Sequence, residues 1–173
     1  MIDGNVVFIL LGIAGVASTF AGFAGVVVTF TRRARGEWLP EEHFRLTNML
    51  VLSLGACFFA FVPLMECLFR LPEAALWTVA SILQGLFCAV HFAYAMPRRK
   101  RLEQSRPWVI RKWMSAVMII GMISAFVLQA LNAVGAIVER GAGPYVVGLG
   151  LLLTISGFQF ALLVLPPLSS TEQ

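Results

Sequence analysis

The chain has 173 residues, of which 59% are hydrophobic and only 13% are charged, and its net charge is +4. Soluble domains are roughly half apolar and one quarter charged, so this composition excludes an ordinary water-soluble globule. Apolar residues also occur in runs of about 20, the length that a helix needs to cross the hydrocarbon core of a bilayer. The composition therefore predicts a polytopic membrane protein.

Five apolar runs predict an all-α protein, a bundle of five transmembrane helices. Helices are favoured because every backbone N–H and C=O in lipid has to be paired within the protein. We expect residues 1–173 to form a single membrane domain with a short C-terminal tail at 166–173. In chain order, the runs cover residues 6–30, 46–69, 74–96, 114–138 and 145–165. We expect Pro97 and the cations after it to end the third run, and Pro144 suits the first turn of the fifth.

The positive charge is concentrated in two of the connections. Loops 31–45 and 97–113 hold eleven of the thirteen Lys and Arg residues. Short loops rich in Lys and Arg stay in the cytoplasm, so both loops and the C-terminus are predicted to be cytoplasmic and the N-terminus outside. The second loop carries Arg98, Arg99, Lys100, Arg101, Arg106, Arg111 and Lys112.

The basic stretch 97–113 invites a nucleic-acid interpretation, but it lies between two spans and no RNA- or DNA-binding motif accompanies it. Anionic lipid is the favoured ligand, because clustered cations next to a membrane gain about 1 kcal/mol each near a negative leaflet. The aromatic residues Trp38, Trp77, Trp108 and Trp113 are expected at headgroup level as anchors. The expected partners are therefore the bilayer and its anionic lipids, and not nucleic acid.

Polar side chains inside the apolar runs are the candidates for function, because their burial in lipid is costly. Gln84 and His91 are seven residues apart, so they share one helix face, as Gln129 and Asn132 do at a spacing of three. By depth, the carboxamides of Gln84, Gln129 and Gln159 are expected to approach one another in mid-membrane. These side chains either line a pathway or only bond adjacent helices. The candidates are Glu66, Gln84, His91, Gln129, Asn132 and Gln159.

Two of these candidates are ionisable, and each allows two interpretations. Glu66 pairs locally with Arg70 four residues later, or forms an acidic ring at the outer mouth of a pore in an oligomer. His91 is a pH-sensitive gate or relay, or simply hydrogen-bonds a neighbour. The sequence leaves these alternatives open.

The first run carries a stripe of small residues along one side. Small residues allow helices to approach closely, because lipid tails provide no hydrophobic drive and packing has to hold the helices together. The alternative is that this face lines a narrow pathway. The stripe consists of Gly12, Gly15, Ser18, Gly22 and Gly25.

Enzymatic, metal and cofactor chemistry is not expected. No nucleophile lies beside a base and no phosphate-binding glycine loop is present. His43 and His91 have no second His or Cys at ligand spacing, so we expect neither a metal site nor a cofactor.

These features favour a small homo-oligomeric channel or passive transport protein for an ion or small polar solute. Five helices enclose little space, so a route at a symmetry axis between subunits is the expected design. The alternative is a non-transporting subunit or scaffold that binds a partner protein or anionic lipid through the basic loops. The short loops and simple topology favour the bacterial cytoplasmic (inner) membrane.

Overall fold

The fold is all-helical. A computed structural model describes residues 2–35, 39–69, 71–105, 112–135 and 139–164. Each of its five helices is long and apolar enough to cross a membrane, which indicates an integral membrane protein. The helices are α1 (Gly4–Arg35), α2 (Pro40–Leu68), α3 (Glu73–Ser105), α4 (Lys112–Val134) and α5 (Ala142–Val164).

Helix α5 is the centre of the bundle, because it packs against each of the other four helices. Within the described residues, α1 packs only on α2 and α5, and α4 only on α3 and α5. Two names are used below for the ends of the bundle. The short-loop end is where α2 joins α3 and α4 joins α5, and the basic end is the opposite one, where α3 finishes and α4 begins.

The third helix is longer than the sequence analysis predicted. Its predicted end at residue 96 is wrong, because α3 runs through Pro97 to Ser105. Proline removes one backbone hydrogen bond, but the Arg, Lys, Leu, Glu and Gln residues after it are good helix formers, so the helix continues. The basic connection is therefore helical up to residue 105, and residues 106–111 lie outside the described part. The other connection is also shorter than 31–45, since α1 reaches Arg35 and α2 begins at Pro40.

A proline inside α2 explains one bond between helices. Pro63 has no N–H, so the carbonyl of Phe59, four residues earlier, lacks its usual helical donor. The hydroxyl of Tyr145 on α5 donates to this carbonyl at 2.6 Å. Both Pro63 and Tyr145 are fully buried, so the bond satisfies a carbonyl that water does not reach.

Described residues next to the connection between α4 and α5 satisfy the last carbonyls of α4. Gly135 has a φ of +68°, a left-handed conformation that glycine adopts without penalty. Its N–H donates to the carbonyl of Leu131 at 2.9 Å. The guanidinium of Arg140 donates to the carbonyl of Val134 at 2.9 Å, which satisfies another of the last carbonyls of α4.

Large apolar side chains cover the outside of the bundle. Phe8 and Phe69 are each 78% exposed, and every helix carries such residues. A contiguous apolar surface of this kind is unsuited to water and suited to lipid. The predicted role of Trp77 as an anchor facing the headgroups is wrong, because this side chain is buried against Tyr145 at a centroid distance of 5.7 Å. Its predicted depth stays a prediction. Trp38 and Trp108 lie outside the described residues.

Candidate functional site

The polar residues singled out from the sequence lie inside one chain. Gln84, Gln129 and Asn132 have no exposed surface, Gln159 is 2% exposed and His91 is 8% exposed. They come from three helices and all face the interior of the bundle. For Glu66 only the backbone position in α2 is described, and Arg70 is outside the described residues, so the ion pair and the acidic ring both stay predictions.

Asn132 is fully paired at the short-loop end. Its Nδ2 donates to the hydroxyl of Ser81 on α3 at 2.8 Å and to the carbonyl of Gly141 at 3.1 Å. Its Oδ1 accepts from the N–H of Gly141 at 3.1 Å. One side chain on α4 thus links α3 to the start of α5, which is a structural role.

Gln84 and Gln129 meet at a glycine of the central helix. A Cβ on Gly148 would lie 2.9 Å from Nε2 of Gln84 and would collide with Nε2 of Gln129. Only glycine leaves room for both amide groups at this point of α5. The predicted approach of these two carboxamides is therefore confirmed.

These two amides are poorly satisfied. Nε2 of Gln129 donates to the carbonyl of Pro144 at 3.1 Å. Its Oε1 has no hydrogen-bond partner among the described residues, and neither does Nε2 or Oε1 of Gln84. Buried polar groups are nearly always paired, so unpaired ones need a water, an ion or a functional reason.

Gln159 does not join this pair, so that part of the prediction is wrong. It lies eleven residues after Gly148 on the same helix, which places it about 16 Å nearer the basic end. Its Nε2 donates to Sδ of Met118 on α4 at 3.5 Å. The position of a residue within its own span does not give its height relative to residues on other helices, because the helices are shifted along the bundle axis.

A cleft lies between α2, α3, α4 and α5 in the half of the bundle nearer the basic end. It contains about 440 Å³ of space, counted with its open side. Most of its wall is apolar, and Asn48, His91, Arg99 and Gln159 supply the polar groups. The apolar residues of the wall are Phe44, Leu52, Phe92, Ala95, Met96, Met118, Ile119, Met122 and Ile155.

Three of the polar side chains in the cleft keep hydrogen-bonding groups open. Asn48 is 6% exposed, and neither it nor His91 hydrogen-bonds to another described residue. The imidazole of His91 only stacks on the ring of Phe87, with centroids 6.1 Å apart. Gln159 uses its amide nitrogen on Met118 and leaves Oε1 open. The cleft therefore offers open donors and acceptors from α2, α3 and α5.

An apolar layer separates the cleft from the Gln84–Gln129 pair. Cys88, Met122 and Leu152 lie in it, each at most 6% exposed, within one buried cluster. On α3, Cys88 falls between Gln84 and His91, which are about 10 Å apart along the helix axis. The two polar levels thus both lie in the interior of the bundle, with buried apolar residues between them.

Sequence reasoning missed Asn48 and the serines of the core. Asn48 lies within the predicted span 46–69, and its position four residues before Leu52 places it on the same face of α2 as that buried residue. The hydroxyl oxygens of Ser53 and Ser156 are 2.6 Å apart, and the hydroxyl of Ser156 donates to the carbonyl of Met49 at 3.1 Å. The four-residue spacing of Asn48 and Leu52 was the available signal.

The small-residue stripe of α1 does not pack inside the chain. A Cβ at Gly12, Gly15, Gly22 or Gly25 would meet nothing within 4 Å. The opposite face is the one that packs, with Leu10, Ala14, Ala17 and Ala24 buried. Ser18 differs from the glycines, since its hydroxyl lies 3.4 Å from Sγ of Cys57. Close packing of another described helix on these glycines is therefore not found, and the narrow pathway stays a prediction.

The basic residues emerge from the bundle on the last turns of α3. Arg98, Lys100 and Arg101 are exposed, and Arg99 is half-buried beside the cleft. The guanidinium of Arg98 lies over the ring of Tyr94, 4.1 Å from its centroid. Arg106 and Arg111 lie outside the described residues, and the side chain of Lys112 is not described.

Within the part of the chain that the structure describes, no group of three His, Cys, Asp or Glu side chains is placed to share a metal ion. The chain was also compared with protein-family models, curated proteins and solved structures. None of these comparisons found a match.

Proposed function

We propose that the protein is a small channel or passive transport protein for an ion or small polar solute, with a route inside each protomer. Two observations carry this proposal. Buried amide atoms of Gln84 and Gln129 have no hydrogen-bond partner among the described residues, and Asn48, His91 and Gln159 present polar groups to the cleft. Such groups are costly in a membrane protein and mark pathways for polar solutes.

This proposal changes the expected place of the route. The sequence analysis expected it at a symmetry axis between subunits. Gln84, His91 and Gln159 instead face the interior of one chain, which supports a route through the bundle. The proposed assembly is still a homo-oligomer, in the bacterial inner membrane with the basic end in the cytoplasm, but neighbouring copies are not needed to line the route.

The apolar layer is the proposed gate. Apolar constrictions block ions and polar solutes because water leaves a narrow apolar passage. Cys88, Met122 and Leu152 form this layer between the two polar levels. A solute held in the cleft would move towards Gln84 and Gln129 when these side chains separate.

The test is flux through liposomes that contain only this protein. We expect Leu152→Ala to raise flux, because it thins the apolar layer, and Gln84→Leu to lower it, because it removes an unpaired amide. Gly150→Ala is the matched control on α5, since a Cβ there meets nothing within 4 Å. No movement of any tested ion or neutral solute over a range of pH, with correctly inserted protein, would contradict the proposal.

A second function is favoured by the extension of α3. The helix carries Arg98, Lys100 and Arg101 exposed on its last turns, beyond the apolar part of the span. This supports a scaffold that binds anionic lipid or a partner protein. Arg98→Gln with Arg101→Gln would weaken binding to anionic vesicles and leave binding to neutral ones unchanged. A partner that copurifies in fixed ratio in mild detergent would favour this function over transport.

A further inference from the structure

We infer that the cleft binds an uncharged amphipathic molecule whose hydroxyl or amide head hydrogen-bonds to Asn48, His91 and Gln159. The inference rests on the proposed function and deepens it, because it names the class of solute that the site accepts.

The polar groups select a head that both donates and accepts. The amide of Asn48 supplies donors and an acceptor, and a neutral imidazole at His91 supplies one of each. Gln159 offers its acceptor Oε1, since its nitrogen is used on Met118. These three side chains are at least nine-tenths buried and project from three different helices into one space. A hydroxyl or primary amide satisfies them, whereas a hydrocarbon leaves them unpaired.

The charge of the wall disfavours an ionic ligand. None of the described residues that line the cleft is a carboxylate, so a cation would enter an apolar space without a counter-charge. Arg99 is the one cation among these lining residues, and it already takes part in another interaction. An anionic ligand would have to compete with that interaction to bind Arg99. An uncharged head avoids both costs.

The remaining wall fits an apolar body. Phe44 and Phe92 present aromatic rings, and Met96, Met118 and Met122 present unbranched thioether chains. Methionine side chains adapt to ligands of different shape because they are flexible and polarizable. The cleft is open on one side, so a chain longer than the enclosed space still has room.

The experiment uses the full-length protein in lipid nanodiscs and a photoreactive alkyl-diazirine derivative of 1-octanol. Labelled residues are mapped by mass spectrometry, and labelling is competed with 1-octanol, octane, octanoate and octylamine. These competitors have similar chains and different heads. We expect labels on the Met96 and Met118–Met122 segments, with 1-octanol competing at about tenfold lower concentration than octane or octylamine.

Substitutions at the three polar side chains test whether they hydrogen-bond to the ligand or whether the ligand only contacts the apolar wall. Asn48→Leu, His91→Phe and Gln159→Leu are each expected to lower cleft labelling several-fold. Thr154→Val is the control, because this α5 residue is exposed and its hydroxyl bonds only the carbonyl of Gly150. Labelling of the exposed glycine face of α1 gives the background from lipid and should not change in any variant.

Four outcomes would overturn the inference. Equal competition by octane would mean that only apolar surface is recognised. Preference for octylamine or octanoate would mean a charged ligand. Labelling no stronger in the cleft than on α1 would mean no site. If liposomes show flux but 1-octanol does not compete for labelling of the cleft, this inference alone is overturned. If the cleft is labelled specifically but liposomes show no flux, only the transport proposal is overturned.

Discussion

Two buried asparagines, one at each end of the bundle, differ in their hydrogen bonding. At the short-loop end, Asn132 satisfies its own amide and also Ser81 and Gly141, and Tyr145 satisfies the carbonyl that Pro63 leaves open. In the cleft nearer the basic end, Asn48 and His91 bond to no described residue. Asparagine occurs in both regions, so residue type alone does not indicate whether a buried amide is paired within the chain.

The largest expected effect contrasts the two asparagines. Asn132→Leu removes three hydrogen bonds and is expected to lower the free energy of unfolding by about 2–3 kcal/mol. Asn48→Leu removes no hydrogen bond to a described residue, so the free energy of unfolding should stay unchanged. Unfolding of the purified protein by sodium dodecyl sulfate measures both. Equal destabilisation by the two substitutions would break the comparison.

A smaller effect is expected from filling the space at Gly148. Gly148→Ala forces the amides of Gln84 and Gln129 apart, and overpacking of this kind costs about 1–3 kcal/mol. Gly150→Ala, two residues later, meets nothing within 4 Å and should not destabilise. Thermal unfolding in one detergent compares the two variants. If Gly148→Ala is as stable as wild type, the two amides are not confined as described.

The bond from Tyr145 to Phe59 should contribute about 1 kcal/mol. Tyr145→Phe leaves the carbonyl of Phe59 without a donor. In the background Pro63→Ala, residue 63 regains its N–H and pairs that carbonyl, so the same substitution should cost less. A double-mutant cycle on unfolding free energies measures this coupling. Zero coupling would mean that the proline and the tyrosine act independently.

The smallest expected effect is at the exposed stripe of α1. Gly15→Ala should stabilise the chain by about 0.5 kcal/mol, because alanine favours helix and nothing contacts its Cβ. Crosslinking of the same variant in membranes tests the predicted homo-oligomer. If Gly15→Ala loses the crosslinked oligomer but keeps its free energy of unfolding, the stripe lies between two copies of the chain. Destabilisation of the monomer would show that the stripe packs within the chain.

The helices themselves could be predicted from the sequence, because the need to pair every backbone group in lipid leaves few alternatives for long apolar runs. That Gln84 and His91 share one face of α3 could also be predicted, because residues seven apart are close to two helical turns apart. The structure shows that this face is buried. The end of α3 was predicted wrongly. Proline weakens a helix at one bond, and here the residues around Pro97 are sufficient to continue it.

The sequence by itself determined that five apolar helices form and that most of the positive charge collects at one end. Only the tertiary structure decided that Gln84 and Gln129 meet at Gly148 while Gln159 joins Asn48 and His91 in a separate cleft. The reason is that the periodicity of a helix fixes which side chains share a face, whereas the height and rotation of one helix against another depend on side-chain packing between them.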